Sequence, residues 1–353
     1  MKRIILIAFL LISMVYAQQN RTFHYSFEGT IQNKIPIIAH LSCFKGDIWG
    51  SYSYVKYGKP IYLHGKIDNL NKLVIKEETE SAGIFTGSFE NNNFAGRWEN
   101  ASKNKNLDFQ LRKKTSENSI ELSPLCYSEQ RNIKVNKDSI QADYNYCILV
   151  PESGNNLREI SQTIANVLFN SSSPDDLCSI KLKSLATDFF DDFQNSIFHL
   201  DDEFTPHTDW SFEKKVSVIS NTSEYLYFKI SWYEYAGGAH GNYGKDFLVI
   251  DKKTGKKVEI DQVINDNENK LSETISNRLL QNMDTDSTST LEENGFYTDM
   301  IDPTSNFYLT NTGIGFYYNT YEIAPYAMGP FNIFLNFEEI KDYLKEGIQL
   351  SSN

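Results

Sequence analysis

The sequence lacks a long hydrophobic run and is short of basic residues. Its longest apolar run, residues 4–15, has 12 residues, fewer than the roughly 20 that a membrane-spanning helix requires. Lys and Arg total 34 against 46 Asp and Glu, which gives a net charge of −12. This deficit argues against nucleic-acid binding, because phosphate binding requires a basic surface. The acidic balance suits a cationic partner instead.

Cysteine is scarce as well, with four residues: Cys43, Cys126, Cys147 and Cys178. None lies in a CxxC motif, and the six histidines contain no HExxH, so we expect no metal site and no cofactor. In an oxidising compartment, four cysteines allow three complete pairings. Because Cys43 falls in a different predicted module, we expect one disulfide among the other three.

Residues 1–17 have the features of a secretory signal peptide. Lys2 and Arg3 precede the apolar run, and Ala17 is a small residue at the cleavage position. An uncleaved anchor is the alternative. No cysteine lies at the cleavage position, so we expect no lipid anchor. We predict that cleavage leaves a soluble protein with no membrane span, exported to the periplasm or the extracellular space.

The rest of the chain divides by its periodicity. Residues 20–112 form short segments of alternating polarity broken by glycines, which predicts an all-β module, a small barrel or a curved sheet. Residues 113–120 are polar and predict a linker. Residues 121–235 and 236–353 mix strands and helices without a regular βαβ order, so we predict two α+β domains in which helices pack on antiparallel sheets.

Two local patterns in the last third of the chain make specific predictions. Apolar residues at helical spacing predict a helix with one buried face, formed by Leu271, Ile275 and Leu279, and capped by Asn265 with Glu268. Residues 245–251 and 256–260 flank the turn-forming Thr254-Gly255 and predict a β-hairpin.

The most informative stretch is a strand that runs into a glycine-rich loop. Residues 226–235 alternate apolar and polar side chains and end at Glu234 and Tyr235. The next residues include Gly237-Gly238-Ala239-His240-Gly241. Three glycines in five residues allow positive φ angles or close approach of another chain segment. The pattern predicts a tight loop that carries one histidine and has a carboxylate at its start.

A second block of aromatic residues lies between two predicted strands near the C-terminus. It reads Tyr318-Asn-Thr-Tyr-Glu-Ile-Ala-Pro-Tyr-Ala-Met-Gly329. Tyr and Trp side chains suit sugar stacking or protein interfaces when they are exposed, and they form core when they are buried. Pro325 and Tyr326 fall in the predicted loop and are our first choice for an exposed contact.

Together the two blocks resemble a known family. Tyr-x-Tyr-x-Gly-Gly-Ala-His-Gly from Tyr233, a hairpin and helix, and the Tyr318 block are similar to the extracytoplasmic part of RsiV-type anti-sigma factors. The same domain pair occurs beside the catalytic domain of PdaC-type peptidoglycan deacetylases. The resemblance covers residues 121–353. It implies that the chain binds lysozyme or a related ligand. We expect neither the cytoplasmic segment nor the membrane span of an anti-sigma factor, so the resemblance does not carry over a signalling role.

Our leading interpretation is a non-enzymatic envelope protein that binds a basic protein such as lysozyme, or a peptidoglycan fragment. We assign ligand binding to Tyr233, Tyr235, His240, Tyr321, Pro325 and Tyr326, and loop structure to Gly237, Gly238 and Gly241. His240 is expected to donate a hydrogen bond to a backbone carbonyl. One alternative is a glycan hydrolase that uses Glu234, Glu322 and His240, since such enzymes require a pair of carboxylates. Another is a structural envelope component.

Overall fold

The computed structural model describes residues 21–79, 82–114, 119–135, 138–198, 209–265, 270–283 and 289–345. The predicted signal peptide, residues 115–118 of the predicted linker and the Glu268 part of the predicted helix cap lie outside these residues. No helix within the described ranges is long and apolar enough to cross a membrane. The chain divides into two compact units. One comprises residues up to 125 with 149–154 and 217–221, and the other comprises the remainder.

The first unit contains a closed barrel of eight strands, which confirms the all-β prediction. Each strand pairs with the next along the chain, and β1 closes the barrel by pairing antiparallel with β8. Alternation places apolar side chains inside: along β5, Leu73 and Ile75 are buried while Lys72 and Lys76 are exposed. The strands are β1 (Thr22–Ile31), β2 (Ile35–Phe44), β3 (Asp47–Tyr54), β4 (Ile61–Ile67), β5 (Lys72–Glu77), β6 (Ile84–Glu90), β7 (Asn93–Glu99) and β8 (Asn106–Lys113).

One buried carboxylate lies inside the barrel where β5 ends. Glu77 is 7% exposed. Its Oε1 accepts hydrogen bonds from the Tyr52 hydroxyl at 2.6 Å and the Trp98 indole N–H at 2.9 Å, and its Oε2 accepts from the Gly83 N–H at 2.8 Å. A buried polar group requires such partners in place of water. The three donors connect the end of β5 to Tyr52 of β3, to Gly83 just before β6 and to Trp98 of β7.

Two histidines lie side by side, the half-buried His24 on β1 and the buried His40 on β2. His24 and Ser42 are cross-strand partners, as are Ser26 and His40, and each pair is hydrogen-bonded through the histidine Nδ1, at 2.9 and 2.8 Å. The two imidazole rings are parallel, with centroids 6.4 Å apart. Burial lowers the pKa of His24 to about 4 and that of His40 to about 3, with the neighbouring His24 contributing to the second shift. Both rings are therefore neutral at pH 7.

The remaining strands and helices form two sheets with packed helices, which confirms the α+β class. A five-stranded sheet has the order β13-β12-β11-β10-β9, and a three-stranded sheet has the order β14-β15-β16. The strands are β9 (Glu121–Val135), β10 (Asp138–Ser153), β11 (Trp210–Asn221), β12 (Tyr225–Tyr235), β13 (Asn242–Asp251), β14 (Phe307–Leu309), β15 (Gly313–Tyr318) and β16 (Phe331–Asn336). The helices are α1 (Leu157–Phe169), α2 (Ser179–Phe198), α3 (Ile260–Val263), α4 (Lys270–Asn282) and α5 (Phe337–Ile340).

The larger sheet is mixed rather than purely antiparallel. β10 and β11 run parallel, with Ala142 paired to Trp210 and Cys147 paired to Lys215. The physical reason is the connection: α1 and α2 lie between these strands in the chain, and a parallel pair requires a crossover of that length. The disulfide Cys126–Cys147 is the single bond predicted among the last three cysteines, and Cys43 and Cys178 are free thiols.

The local predictions for the last third of the chain are confirmed in part. Leu271, Ile275 and Leu279 form the buried face of α4, as the spacing predicts. The predicted hairpin has a short second arm. After the turn, Lys257 bridges Ile250, the Asp251 N–H donates to the Lys256 carbonyl and the Val258 N–H donates to the Val249 carbonyl, and the chain then enters α3. The helix is favoured there by a reciprocal capping box between Glu259 and Gln262, a stronger local signal than the alternation.

Candidate functional site

The β12–β13 hairpin presents the glycine-rich loop, residues 236–241, which we call the Gly-His loop. Its base is the antiparallel pairing of Tyr233 with Tyr243 and of Glu234 with Asn242. Gly237 and Gly238 have φ angles of 92° and 97°, a region that other residues rarely adopt.

Two tyrosines of β12 fix the Gly-His loop in place. The Tyr235 hydroxyl donates a hydrogen bond to the Gly238 carbonyl at 3.0 Å. At Gly241, a side chain would place its Cβ 2.6 Å from the Tyr233 ring, so the close approach of that ring requires glycine. Positive φ at Gly237 and Gly238 and the close approach of the Tyr233 ring at Gly241 thus shape this loop.

The second loop, residues 319–330, connects β15 to β16, and we call it the Tyr loop. It contains a short 3₁₀ helix, Tyr326–Met328, and Tyr321 has a positive φ of 72°. The aromatic block divides at its start: Tyr317 and Tyr318 are buried in β15, whereas Tyr321 is 53% exposed. Pro325 is exposed and precedes the half-buried Tyr326.

The Gly-His loop and the Tyr loop meet, although His240 and Tyr326 are far apart in sequence. The His240 ring stacks on the Tyr326 ring, with centroids 3.8 Å apart and an interplanar angle of 17°. The Tyr326 hydroxyl donates to the Gly241 carbonyl at 2.8 Å. The same carbonyl lies 3.0 Å from His240 Nδ1, which fits the predicted hydrogen bond from the histidine to a backbone oxygen.

Further tyrosines surround this stack and complete an aromatic surface. Tyr321 and Tyr243 lie 5.4 and 6.0 Å from the Tyr326 ring centroid. Tyr233 and Tyr243 are 40% and 36% exposed. We call this surface the tyrosine cluster; it consists of Tyr233, His240, Tyr243, Tyr321 and Tyr326. Of the residues predicted for ligand binding, Tyr235 uses its hydroxyl to bind the Gly238 carbonyl of the Gly-His loop. Sequence reasoning missed Tyr243.

An asparagine that the sequence analysis did not single out joins the Tyr loop to β13. The Asn319 side-chain oxygen accepts from the Lys245 N–H at 2.8 Å, and its amide nitrogen lies 3.3 Å from the Lys245 carbonyl. Gly244 leaves room for this contact, since a Cβ there would lie 2.5 Å from the Asn319 oxygen. Asn319 therefore occupies backbone groups of β13 and fixes the start of the Tyr loop.

The two glutamates of the hydrolase alternative have different surroundings. The Glu322 carboxylate accepts a hydrogen bond from the Asn319 backbone N–H at 3.0 Å, and the Asn319 side-chain nitrogen lies 3.5 Å from its other oxygen. Glu234 is exposed at the end of β12. Glu322 is thus part of the turn that opens the Tyr loop. Within the described ranges, no group of three His, Cys, Asp or Glu side chains is arranged to hold a metal ion.

Comparisons with known proteins match two consecutive segments of this chain. Residues 133–243 match the family model described as "Deacetylase PdaC", and residues 261–338 match "Protein of unknown function (DUF3298)". A comparison with curated proteins found no match. The Gly-His loop falls at the end of the first segment and the whole Tyr loop in the second, so the tyrosine cluster contains residues of both.

The solved structures similar to this chain include two DUF3298 family proteins. One is a DUF3298 family member from Bacteroides fragilis, with 22% identity and a TM-score of 0.55, covering 65% of this chain and 96% of that one. The other is a DUF3298 family protein from Pseudomonas aeruginosa, with 13% identity and a TM-score of 0.42, covering 65% and 97%. At 22% identity, the first likeness establishes a shared fold. The chain therefore carries a PdaC-type segment followed by a DUF3298-type segment.

Proposed function

We propose that this protein is a non-enzymatic binding protein of the bacterial envelope or exterior, and that the tyrosine cluster holds its ligand. The observation that carries the proposal is the meeting of two loops in one exposed aromatic surface, with His240 stacked on Tyr326. Aromatic side chains supply large contact areas with little loss of side-chain freedom, which is why they dominate protein and sugar recognition sites.

The ligand is a basic protein such as lysozyme or a cell-wall glycan. The net charge of −12 favours encounter with a basic protein through long-range attraction. Flat exposed rings such as that of Tyr321 also suit stacking against the apolar face of a sugar. The resemblance of residues 121–353 to the lysozyme-binding region of RsiV-type proteins points to the same ligands. Export is supported by the Cys126–Cys147 disulfide, since such bonds persist in oxidising compartments.

Calorimetry tests the proposal. The protein is titrated with lysozyme and with soluble muropeptides, and we expect saturable heat with one of them. Tyr326→Ala should weaken that binding about 30-fold or more, the effect of losing a hot spot worth about 2 kcal/mol. The matched control is Tyr57→Ala, which removes a 59% exposed tyrosine from the barrel and should leave the affinity unchanged.

Two results would contradict the proposal. Absence of heat with both ligands would remove this ligand class. Release of soluble product from peptidoglycan by the wild-type protein, but not by Glu234→Gln or Glu322→Gln, would show an enzyme instead of a binding protein.

A further inference from the structure

A polar cavity lies on the outer wall of the barrel, where β1, β7 and β8 are neighbours. Arg112 is the central residue of one cross-strand row, since it pairs with Glu28 of β1 on one side and with Asn93 of β7 on the other. Gln110 occupies the same place in the next outward-facing row and pairs with Thr30. These side chains line a cavity of about 780 Å³, bordered by the Asn91-Asn92 turn. This volume lies within the range of small-molecule sites.

The other charged side chains that line the cavity have partners other than Arg112. Glu28 lies directly across from Arg112 but forms its ion pair with Lys114, at 3.6 Å. The neighbouring Lys113 is also occupied, because its ammonium lies 3.7 Å from the centroid of the Tyr25 ring. The Arg112 side chain is exposed and makes no hydrogen bond or ion pair to any other residue that the structure describes. In this acidic chain, the cavity thus contains the Arg112 guanidinium, which has no partner among the described residues.

We propose that this cavity is a second binding site, for a small sugar that carries a carboxylate. A guanidinium binds a carboxylate through two parallel hydrogen bonds, a geometry that lysine does not provide. The amides of Asn93 and Gln110 and the hydroxyl of Thr30 both donate and accept hydrogen bonds, as the hydroxyl groups of a sugar require. The single free cation suits one carboxylate, and the net charge of the chain disfavours a polyanion.

The test compares two sugars that differ in the carboxylate. The full-length protein is titrated with N-acetylmuramic acid and with N-acetylglucosamine, and binding is followed by calorimetry or by ligand-observed NMR. We expect N-acetylmuramic acid to bind at least tenfold more tightly. Arg112→Gln should lower its affinity at least tenfold. The control Arg97→Gln, which removes an exposed arginine paired with Asp108 on the same two strands, should change nothing.

This inference stands apart from the tyrosine cluster, and the variants separate the two. Tyr326→Ala should leave N-acetylmuramic acid binding to the barrel unchanged. Equal affinity for the two sugars, or full affinity of Arg112→Gln, would overturn the barrel site. Loss of N-acetylmuramic acid binding in Tyr326→Ala but not in Arg112→Gln would show that this sugar binds the tyrosine cluster instead. Displacement of the sugar by an equal concentration of inorganic phosphate would reduce the site to a general anion site and also overturn the proposal.

Discussion

Lowering the pH should destabilise the barrel through the neighbouring histidines His24 and His40. The pKa values in the folded protein are about 4 and about 3, below the 6.5 of an unperturbed histidine. Between these values and 6.5 the unfolded chain binds more protons than the folded one. The contribution of the two histidines to the free energy of unfolding is therefore complete above pH 6.5, and it declines as the pH falls below that value. At pH 5 the decline is about 2 kcal/mol for each histidine, about 4 kcal/mol in total.

Urea unfolding at pH 7.5 and pH 5, followed by tryptophan fluorescence, measures this difference. A loss of about 4 kcal/mol is a large share of the roughly 5–15 kcal/mol that stabilises a domain. The double variant His24→Gln, His40→Gln should lose most of the pH dependence, because glutamine does not titrate. His64→Gln is the control, since His64 is exposed and should leave the pH dependence intact. Wild-type stability at pH 5 within about 1 kcal/mol of that at pH 7.5 would refute the reasoning.

Three further predictions concern the barrel, the larger sheet and the Tyr loop. Glu77→Ala removes the acceptor of the Tyr52 hydroxyl, the Gly83 N–H and the Trp98 indole N–H, and it should cost at least about 3 kcal/mol of unfolding free energy in urea titrations. A loss below about 1 kcal/mol would contradict this network. Replacing Cys126 and Cys147 by serine should cost about 3 kcal/mol, from the loop-closure entropy for a sequence separation of 21, and unchanged unfolding would argue against the bond. Asn319→Ala removes the side chain that binds the Lys245 backbone on β13, so it should weaken ligand binding at the tyrosine cluster. Circular dichroism should show little loss of helicity. Unaltered affinity would show that Asn319 does not position the Tyr loop.

Period-two and helical patterns made much of the fold predictable from the sequence. The alternation of residues such as Leu73 and Ile75 with lysines is sufficient to place a strand with one buried face, and eight such segments in series favour a meander. What alternation does not encode is the partner of a strand. The parallel pairing of β10 with β11 depends on how the two intervening helices cross the sheet, and so it emerged only from the structure.

The candidate site was predictable as two loops but not as one surface. The glycines and His240 mark one loop, and Pro325 and Tyr326 mark the other, because these residue types favour turns and exposed contacts. The contact between His240 and Tyr326 spans more than 80 residues, and the Asn319 contact with Lys245 spans 74. Contacts at such separations are set by tertiary packing. Tyr243 was missed for a related reason: its role depends on the pairing that places it opposite Tyr233.

The most direct test of the central claim compares Tyr326→Phe with Tyr326→Ala in titrations with the ligand that the wild-type protein binds. Phenylalanine keeps the ring that stacks on His240 and loses only the hydrogen bond to the Gly241 carbonyl. We predict that Tyr326→Phe stays within about tenfold of wild-type affinity, the effect of one hydrogen bond, whereas Tyr326→Ala weakens binding about 30-fold or more. Wild-type affinity in Tyr326→Ala would place the ligand elsewhere on the molecule and contradict the account.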